Sequence, residues 1–246
     1  MKKIQAWFFI SFISLVITSC SASSSMVDST TNSNNDHHFD YTDQESWQLV
    51  TGKMQSPINI QTNKVQKMAP DAGTLVLNYT AEQLPIENNG HSIQVQASGK
   101  AQINQRYFEL TQFHFHAPSE HTIDGKHFPL EAHFVHLAQD GRLAVIGVFF
   151  KAGNENTAFQ EILTKVETKE KISLPALAEL LPVNKSYYHY LGSLTTPPLT
   201  ENVEWYVMKE PVEISEQQIA VFKQFYSHNN REVQLLNERV VLVHEE

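Results

Sequence analysis

A sheet-centred fold with peripheral helices is the class this 246-residue sequence predicts, and three observations predict it. Short segments alternate in polarity between turn residues, one eight-residue run is apolar throughout, and only two stretches carry helical spacing.

Taken in order, Leu75, Leu77 and Tyr79 fall two apart, as do Ile93, Val95 and Ala97, so each set lines one face of a strand. Gln112, His114 and His116 share the face opposite Phe113 and Phe115. In residues 130–137, Glu131, His133 and Val135 alternate with Ala132, Phe134 and His136. Residues 143–150 are continuously apolar, the pattern of a strand buried on both faces. The helices follow: residue 156 to about 167 places Phe159, Ile162, Leu163 and Val166 at helical spacing, and residue 215 to about 226 does so with Ile219, Phe222, Phe225 and Tyr226. Ser215 and Gln218 form a capping box, and Ile214 and Ile219 a hydrophobic staple, at the start of the second.

The two polar strand faces carry the chemistry. His114, His116 and His133 are three imidazoles that two neighbouring strands can aim at one point, with no fourth ligand in register. Three histidines and an open position are the pattern of a catalytic zinc site, where the ion lowers the pKa of a bound water from about 15.7 to about 7. A ligating ring is oriented through a hydrogen bond from its other nitrogen. Gln112 and Glu131 each stand two residues before a ligand, on the same face, and are the expected acceptors. A lone strand histidine is usually structural; three in register with acceptors are not.

Composition bounds the rest. With 41% hydrophobic and 10% aromatic residues, the chain can bury a sizeable core, and its formal charge of −9 argues against a nucleic-acid partner. Lys2 and Lys3, then an apolar run ending Ile17-Thr-Ser-Cys20, read as an export signal over residues 1–19, too short for a stable membrane span. Cys20, the sole cysteine, stands where a bacterial lipoprotein is cleaved and lipidated, which implies membrane attachment; an ordinary secretory signal cut slightly later is the alternative. Either way the expected location is the periplasm or the bacterial envelope, and no disulfide forms within the mature domain. Residues 20–36 read as a flexible linker and residues 37–246 as the folded domain.

Five motifs then stand in sequence: Gln55-Ser-Pro-Ile-Asn-Ile60, Asn88-Asn-Gly-His91, Phe113-His-Phe-His-Ala-Pro-Ser-Glu-His121, Glu131-Ala-His133 and Leu191-Gly-Ser-Leu-Thr-Thr-Pro-Pro198. Together, from about Phe39 to Val243, they resemble the α-class carbonic anhydrases, and specifically the exported bacterial members. The resemblance implies a single domain around a large, twisted, mostly antiparallel sheet, and reversible hydration of carbon dioxide at zinc. It assigns His114, His116 and His133 as ligands, and Gln112 and Glu131 as their acceptors. Thr195 matches the threonine that accepts from the zinc ligand, and Glu120 the glutamate that receives the threonine's proton. Val135, Val145, Leu194, Val203 and Trp205 match the apolar substrate wall, with Thr196 at its polar margin. His91 matches the proton shuttle, with Tyr41 and Asn88 in its water network, while His121 and His136 are expected to make structural hydrogen bonds.

Two other functions compete: a non-catalytic carbonic-anhydrase-like binding module, and a zinc esterase using the same nucleophile. The partner expected is the small molecule carbon dioxide or bicarbonate; the oligomeric state is left open. Two departures stand out. Many bacterial relatives carry a disulfide joining the segment before Gln55, where this chain has Leu49 and Val50, to the position that Leu199 holds here, and Phe39-Asp40 replaces a frequent Trp-Gly.

Overall fold

The apolar run at residues 143–150 becomes the middle of strand Leu143–Ala152, at the heart of a 12-stranded sheet. The computed structural model describes residues 39–47, 52–69, 71, 73–168 and 171–246. The export segment, Cys20, the linker, His37, His38, Leu49 and Val50 lie outside the described residues. Phe39–Glu246 is one compact unit.

The main path of the sheet runs Gln66–Lys67, Leu242–His244, Tyr187–Ser193, Glu201–Met208, Leu143–Ala152, Leu130–Leu137, Arg106–His116, Ile93–Gln96, Ile86–Asn88. Strand Val212–Ile214 pairs with Leu143–Ala152, and Ser98–Ile103 joins Leu75–Thr80 to Arg106–His116. Most pairings are antiparallel; Leu143–Ala152 pairs in parallel with Glu201–Met208 and Val212–Ile214, and Leu242–His244 with Gln66–Lys67. The fold class is therefore the expected one. A separate parallel pair, Asn59–Ile60 with Thr122–Ile123, anchors the Gln-Ser-Pro-Ile-Asn-Ile segment.

The sheet separates two cores. On one face Phe113, Phe115, Phe134 and Phe150 pack with Phe159 of α1 (Thr157–Lys165) and Phe222 of α2 (Glu216–Phe225). Phe115 meets four aromatic rings there, the nearest centroid, that of Phe159, at 5.1 Å. Burying such a side chain stabilises the fold by about 1.5–3 kcal/mol, so the phenylalanines between the histidines anchor the strand that carries them. On the other face a smaller cluster gathers Ile58, Ile60, Val145, Phe149, Tyr190, Val203 and Trp205.

Both helices begin where the sequence predicts. Asn156 caps α1 by accepting from Phe159 N at 2.9 Å, and Ser215 and Gln218 complete the capping box of α2. Two short 3₁₀ turns, Gln44–Ser46 and Leu177–Leu180, are additional to the predicted elements; neither is long enough to leave a periodic signature.

Strict alternation breaks once in the strand that matters most. A bulge between Leu110 and Gln112 shifts register against Leu130–Leu137, so buried Phe108 and Leu110 give way to buried Phe113 and Phe115. Thr111 is the surplus residue, tied through its hydroxyl to Val135 O at 3.0 Å. Downstream of it the even-numbered side chains face the cleft.

Candidate metal centre

His114 and His133 are directly paired across adjacent strands, and His116 follows His114 by one pleat on the same face. Ring centroids lie 5.0 Å apart for His114–His116, 5.3 Å for His114–His133 and 4.6 Å for His116–His133. One nitrogen from each ring falls within 4.8 Å of the other two.

The outward nitrogens identify the inward ones. His114 Nδ1 donates to Gln112 Oε1 at 2.8 Å, His116 Nδ1 to Asn229 O at 2.6 Å, and His133 Nε2 to Glu131 Oε1 at 3.0 Å. Carbonyl and carboxylate oxygens only accept, so each of these ring nitrogens carries the proton. Nε2 of His114, Nε2 of His116 and Nδ1 of His133 are left as lone-pair donors. His116 Nε2 is fully buried and has no hydrogen-bond partner among the described residues, which fits a site built for a metal ligand rather than a packed core. Burial, followed by the neighbouring His116 and His133, holds His114 well below the ordinary histidine pKa, and burial lowers His116 as well. Neutral imidazole is the metal-binding form.

Glu131 is the most heavily used acceptor. Beyond His133, its Oε1 accepts from His121 Nδ1 at 2.7 Å, and its Oε2 from His121 N at 2.8 Å. Burial pushes the carboxyl upward, but His121 and His133 more than offset this and hold it well below the usual carboxylate range. The glycine opposite His133 makes room: a Cβ on Gly147 would lie 3.0 Å from Glu131 Oε1. His121, Glu131 and His133 also form a possible ligand trio by distance, yet Glu131 already accepts three N–H groups there, so this trio is a hydrogen-bonded support.

An apolar wall stands beside the rings. Val145, Val203 and Trp205 are buried in the smaller core with Val135 and Leu194 packed against it, and the Trp205 ring lies 4.8 Å from that of His133. Register aligns the wall across three strands, with Val145 opposite both Val135 and Trp205. Thr195 is buried, and Thr196 beside it is half-buried. Glu120 is fully buried; its Oε1 accepts from Arg231 N at 2.7 Å, and its Oε2 has no hydrogen-bond partner among the described residues. The expected link from Thr195 to Glu120 is not among the hydrogen bonds of this structure.

At the opening, the His91 ring stacks on Phe39, centroids 3.9 Å apart and 11° from parallel, so the residue in the Trp position presents an aromatic face to it. Asn88 Oδ1 accepts from Gly90 N at 3.1 Å and from the Tyr226 hydroxyl. The Tyr41 hydroxyl is buried with no hydrogen-bond partner among the described residues, and burial, then nearby Glu120, raises its pKa. His136 points to the opposite face, where it meets Tyr79 OH at 2.9 Å, as alternation requires. Leu199 is buried at the site of the family disulfide, its backbone in the left-handed region at φ +60°.

Sequence reasoning missed Asn229, the acceptor of His116. It binds from 113 residues away, beyond any local pattern. Its side chain also donates to His91 O and Phe115 O, both at 2.9 Å, and accepts from Ala117 N at 2.8 Å.

Residues 40–245 match the family model described as eukaryotic-type carbonic anhydrase. The chain belongs to the α-carbonic anhydrase family. Among its relatives, a carbonic anhydrase of Pectobacterium carotovorum is 44% identical over 200 residues, covering 78% of this chain and 80% of its own. The carbonic anhydrase of Neisseria gonorrhoeae is 40% identical over 227 residues, covering 85% and 88%. The solved α-carbonic anhydrase of Thermovibrio ammonificans, bound to the inhibitor sulfanilamide, superposes with a TM-score of 0.72 at 44% identity, covering 78% of this chain and 87% of its own. Carbonic anhydrase membership thus agrees in extent with the compact unit Phe39–Glu246.

Proposed function

We propose that this carbonic anhydrase hydrates carbon dioxide reversibly to bicarbonate and a proton, using a zinc ion held by His114 Nε2, His116 Nε2 and His133 Nδ1. The observation that carries the reading is the convergence of three lone pairs, each fixed by an acceptor on the far side of its ring. When bound, zinc supplies a nucleophilic hydroxide at neutral pH by lowering the pKa of water to about 7.

The remaining steps belong to the chain. Gln112, Asn229 and Glu131 hold the rings in their metal-binding tautomers. Glu120 Oε2, buried and with no hydrogen-bond partner among the described residues, is the acceptor we assign to the Thr195 hydroxyl. A hydroxyl whose one proton is committed in this way presents only lone pairs to the nucleophile and so orients it. Carbon dioxide has no charge and no donor, and the wall of Val135, Val145, Leu194, Val203 and Trp205 holds it by exclusion of water, with Thr196 at the polar edge. His91 accepts the proton released and passes it to buffer, a task suited to the side chain that changes charge near neutral pH. Tyr41 and Asn88 flank its path. We further propose that residues 1–19 direct export and that Cys20 carries a lipid; mass spectrometry of the mature N-terminus tests this.

The deciding experiment measures zinc content and carbon dioxide hydration with and without a chelator and a primary sulfonamide. One zinc per chain, with activity lost to chelator and restored by zinc, is expected. Activity in metal-free protein overturns the metal reading, and an inert zinc-loaded protein identifies a binding module. Comparing efficiencies on carbon dioxide and an activated ester decides which substrate is primary.

A further inference from the structure

Among the described residues, three turns place glycine in the left-handed region directly after an aspartate or asparagine: Asn89-Gly90, Asp124-Gly125 and Asp140-Gly141, with glycine φ of +87°, +79° and +86°. All six residues are exposed, and a Cβ added at any of the three glycines would meet nothing within 4 Å. In such a turn the unhindered glycine nitrogen can attack the preceding side-chain carbonyl carbon and close a five-membered imide. The reaction needs an electrophilic carbonyl. Asp124 and Asp140 are ionised, because hydrogen bonds from Thr62 to the first and from Arg142 to the second hold their carboxyls below the usual range, and a carboxylate resists a nucleophile. Of the three, Asn89 alone offers a neutral amide.

The fold prepares that amide. Asn89 Oδ1 accepts from His91 N at 3.0 Å and from Ser92 N at 2.8 Å. Attack at the side-chain carbonyl moves negative charge onto this same oxygen, where two backbone donors already stand. Those donors are held from below. Asn89 N closes the turn onto Ser92 O at 3.1 Å, buried Ser92 donates its hydroxyl to Phe115 O at 2.9 Å, and Asn229 Nδ2 donates to His91 O at 2.9 Å. Gly90 N, the attacking atom, donates to Asn88 Oδ1 at 3.1 Å, which directs its proton toward an exposed side chain and solvent base.

We propose that Asn89 is a covalent modification site, where the loop before His91 converts its own amide to aspartate and isoaspartate, and that the conversion impairs proton transfer through His91. The bond from Gly90 N to Asn89 Cγ forms as the bond from Cγ to the amide nitrogen breaks. The Gly90 proton leaves with that nitrogen as ammonia, and nothing is oxidised or reduced. Water then opens the imide at either carbonyl, giving aspartate or, where the main chain now runs through the former side chain, isoaspartate. Both products set a carboxylate two residues before His91. Isoaspartate also adds a carbon to the main chain, which shifts His91 against the Phe39 ring that it stacks on at 3.9 Å. The effect on proton transfer rests on the shuttle reading above; the modification itself does not.

The test holds the zinc-loaded enzyme in warm, mildly alkaline buffer and follows it by peptide mass, by an isoaspartate-specific methyltransferase and by turnover at low and high buffer. Conversion at Asn89 is expected to run at least about ten-fold faster than isoaspartate formation at Asp124 or Asp140. Turnover at low buffer should fall in step with the converted fraction, and added imidazole should restore it. Asn89→Gln, whose longer side chain cannot close a five-membered ring, should keep its turnover through the same incubation. An Asn89 peptide that keeps its mass, or conversion no faster than at the two aspartate turns, overturns the site. Full conversion with turnover at low buffer unchanged, or an equal decline in Asn89→Gln, overturns its effect on His91. Fresh protein that hydrates no carbon dioxide overturns the function proposed above, whereas peptide mass still decides the modification.

Discussion

At the scale of single residues, Glu131 has more consequences than its neighbours because all three of its donors are N–H groups. Glu131→Gln changes almost no volume, yet it sets an NH₂ against one of those donors. The expected result is zinc affinity weaker by about 10–100-fold, measured by competition with a chelator. His91→Ala touches none of the ligands, so it should slow turnover at low buffer by about 10-fold or more while sparing the carbon dioxide conversion step, and added imidazole should restore the rate. A rate indifferent to buffer would remove His91 from its assigned role. The ligands and two of their acceptors were legible in the sequence because strand period places them locally. Asn229 and Arg231 were not, since each reaches the site across a loop closure that leaves no periodic mark.

Among the secondary-structure elements, the two helix starts depend on one side chain. Gln218 completes the α2 capping box and also bonds Asn156 twice, accepting from its N at 3.0 Å and donating to its O at 2.8 Å. Asn156 in turn caps α1. Ser215→Ala removes one cap and should cost about 1 kcal/mol. Gln218→Ala strands buried groups at both helix starts and should cost about 2–4 kcal/mol, read from urea midpoints. The capping box was visible as a sequence motif, but its grip on the other helix was not. The strand bulge also escaped notice, because Thr111 carries none of the glycine or proline signals that mark an irregularity.

For the whole molecule, Arg106 of Arg106–His116 reaches across two intervening strands to Glu201–Met208, where it pairs with both carboxylate oxygens of Glu204 and also donates to Tyr206 OH at 3.1 Å. Burial raises Glu204, but the Arg106 and Tyr206 hydrogen bonds bring it below the usual value of 4.5. Its contribution is therefore complete above about pH 4.5 and lost as pH falls through the lower folded value. His136 acts earlier. Burial pushes it from 6.5 to about 4, so the unfolded chain takes up a proton first; the contribution is intact above pH 6.5 and drains away down to pH 4. This is worth on the order of 3 kcal/mol. Urea midpoints between pH 7 and 4 should fall less steeply in His136→Gln than in the parent, by the slope of about one proton. Equal slopes would show that His136 does not titrate in this window. The same global view gives the Thr111 bulge its largest effect. The chain upstream and downstream of it is out of step by one residue, so odd positions turn away from the large core before it and even positions after it. Excision of that single surplus unit would swing His114 and His116 into oil and Phe113 and Phe115 toward water, leaving His133 on its own strand without them, so this strand tolerates no change of length at Thr111.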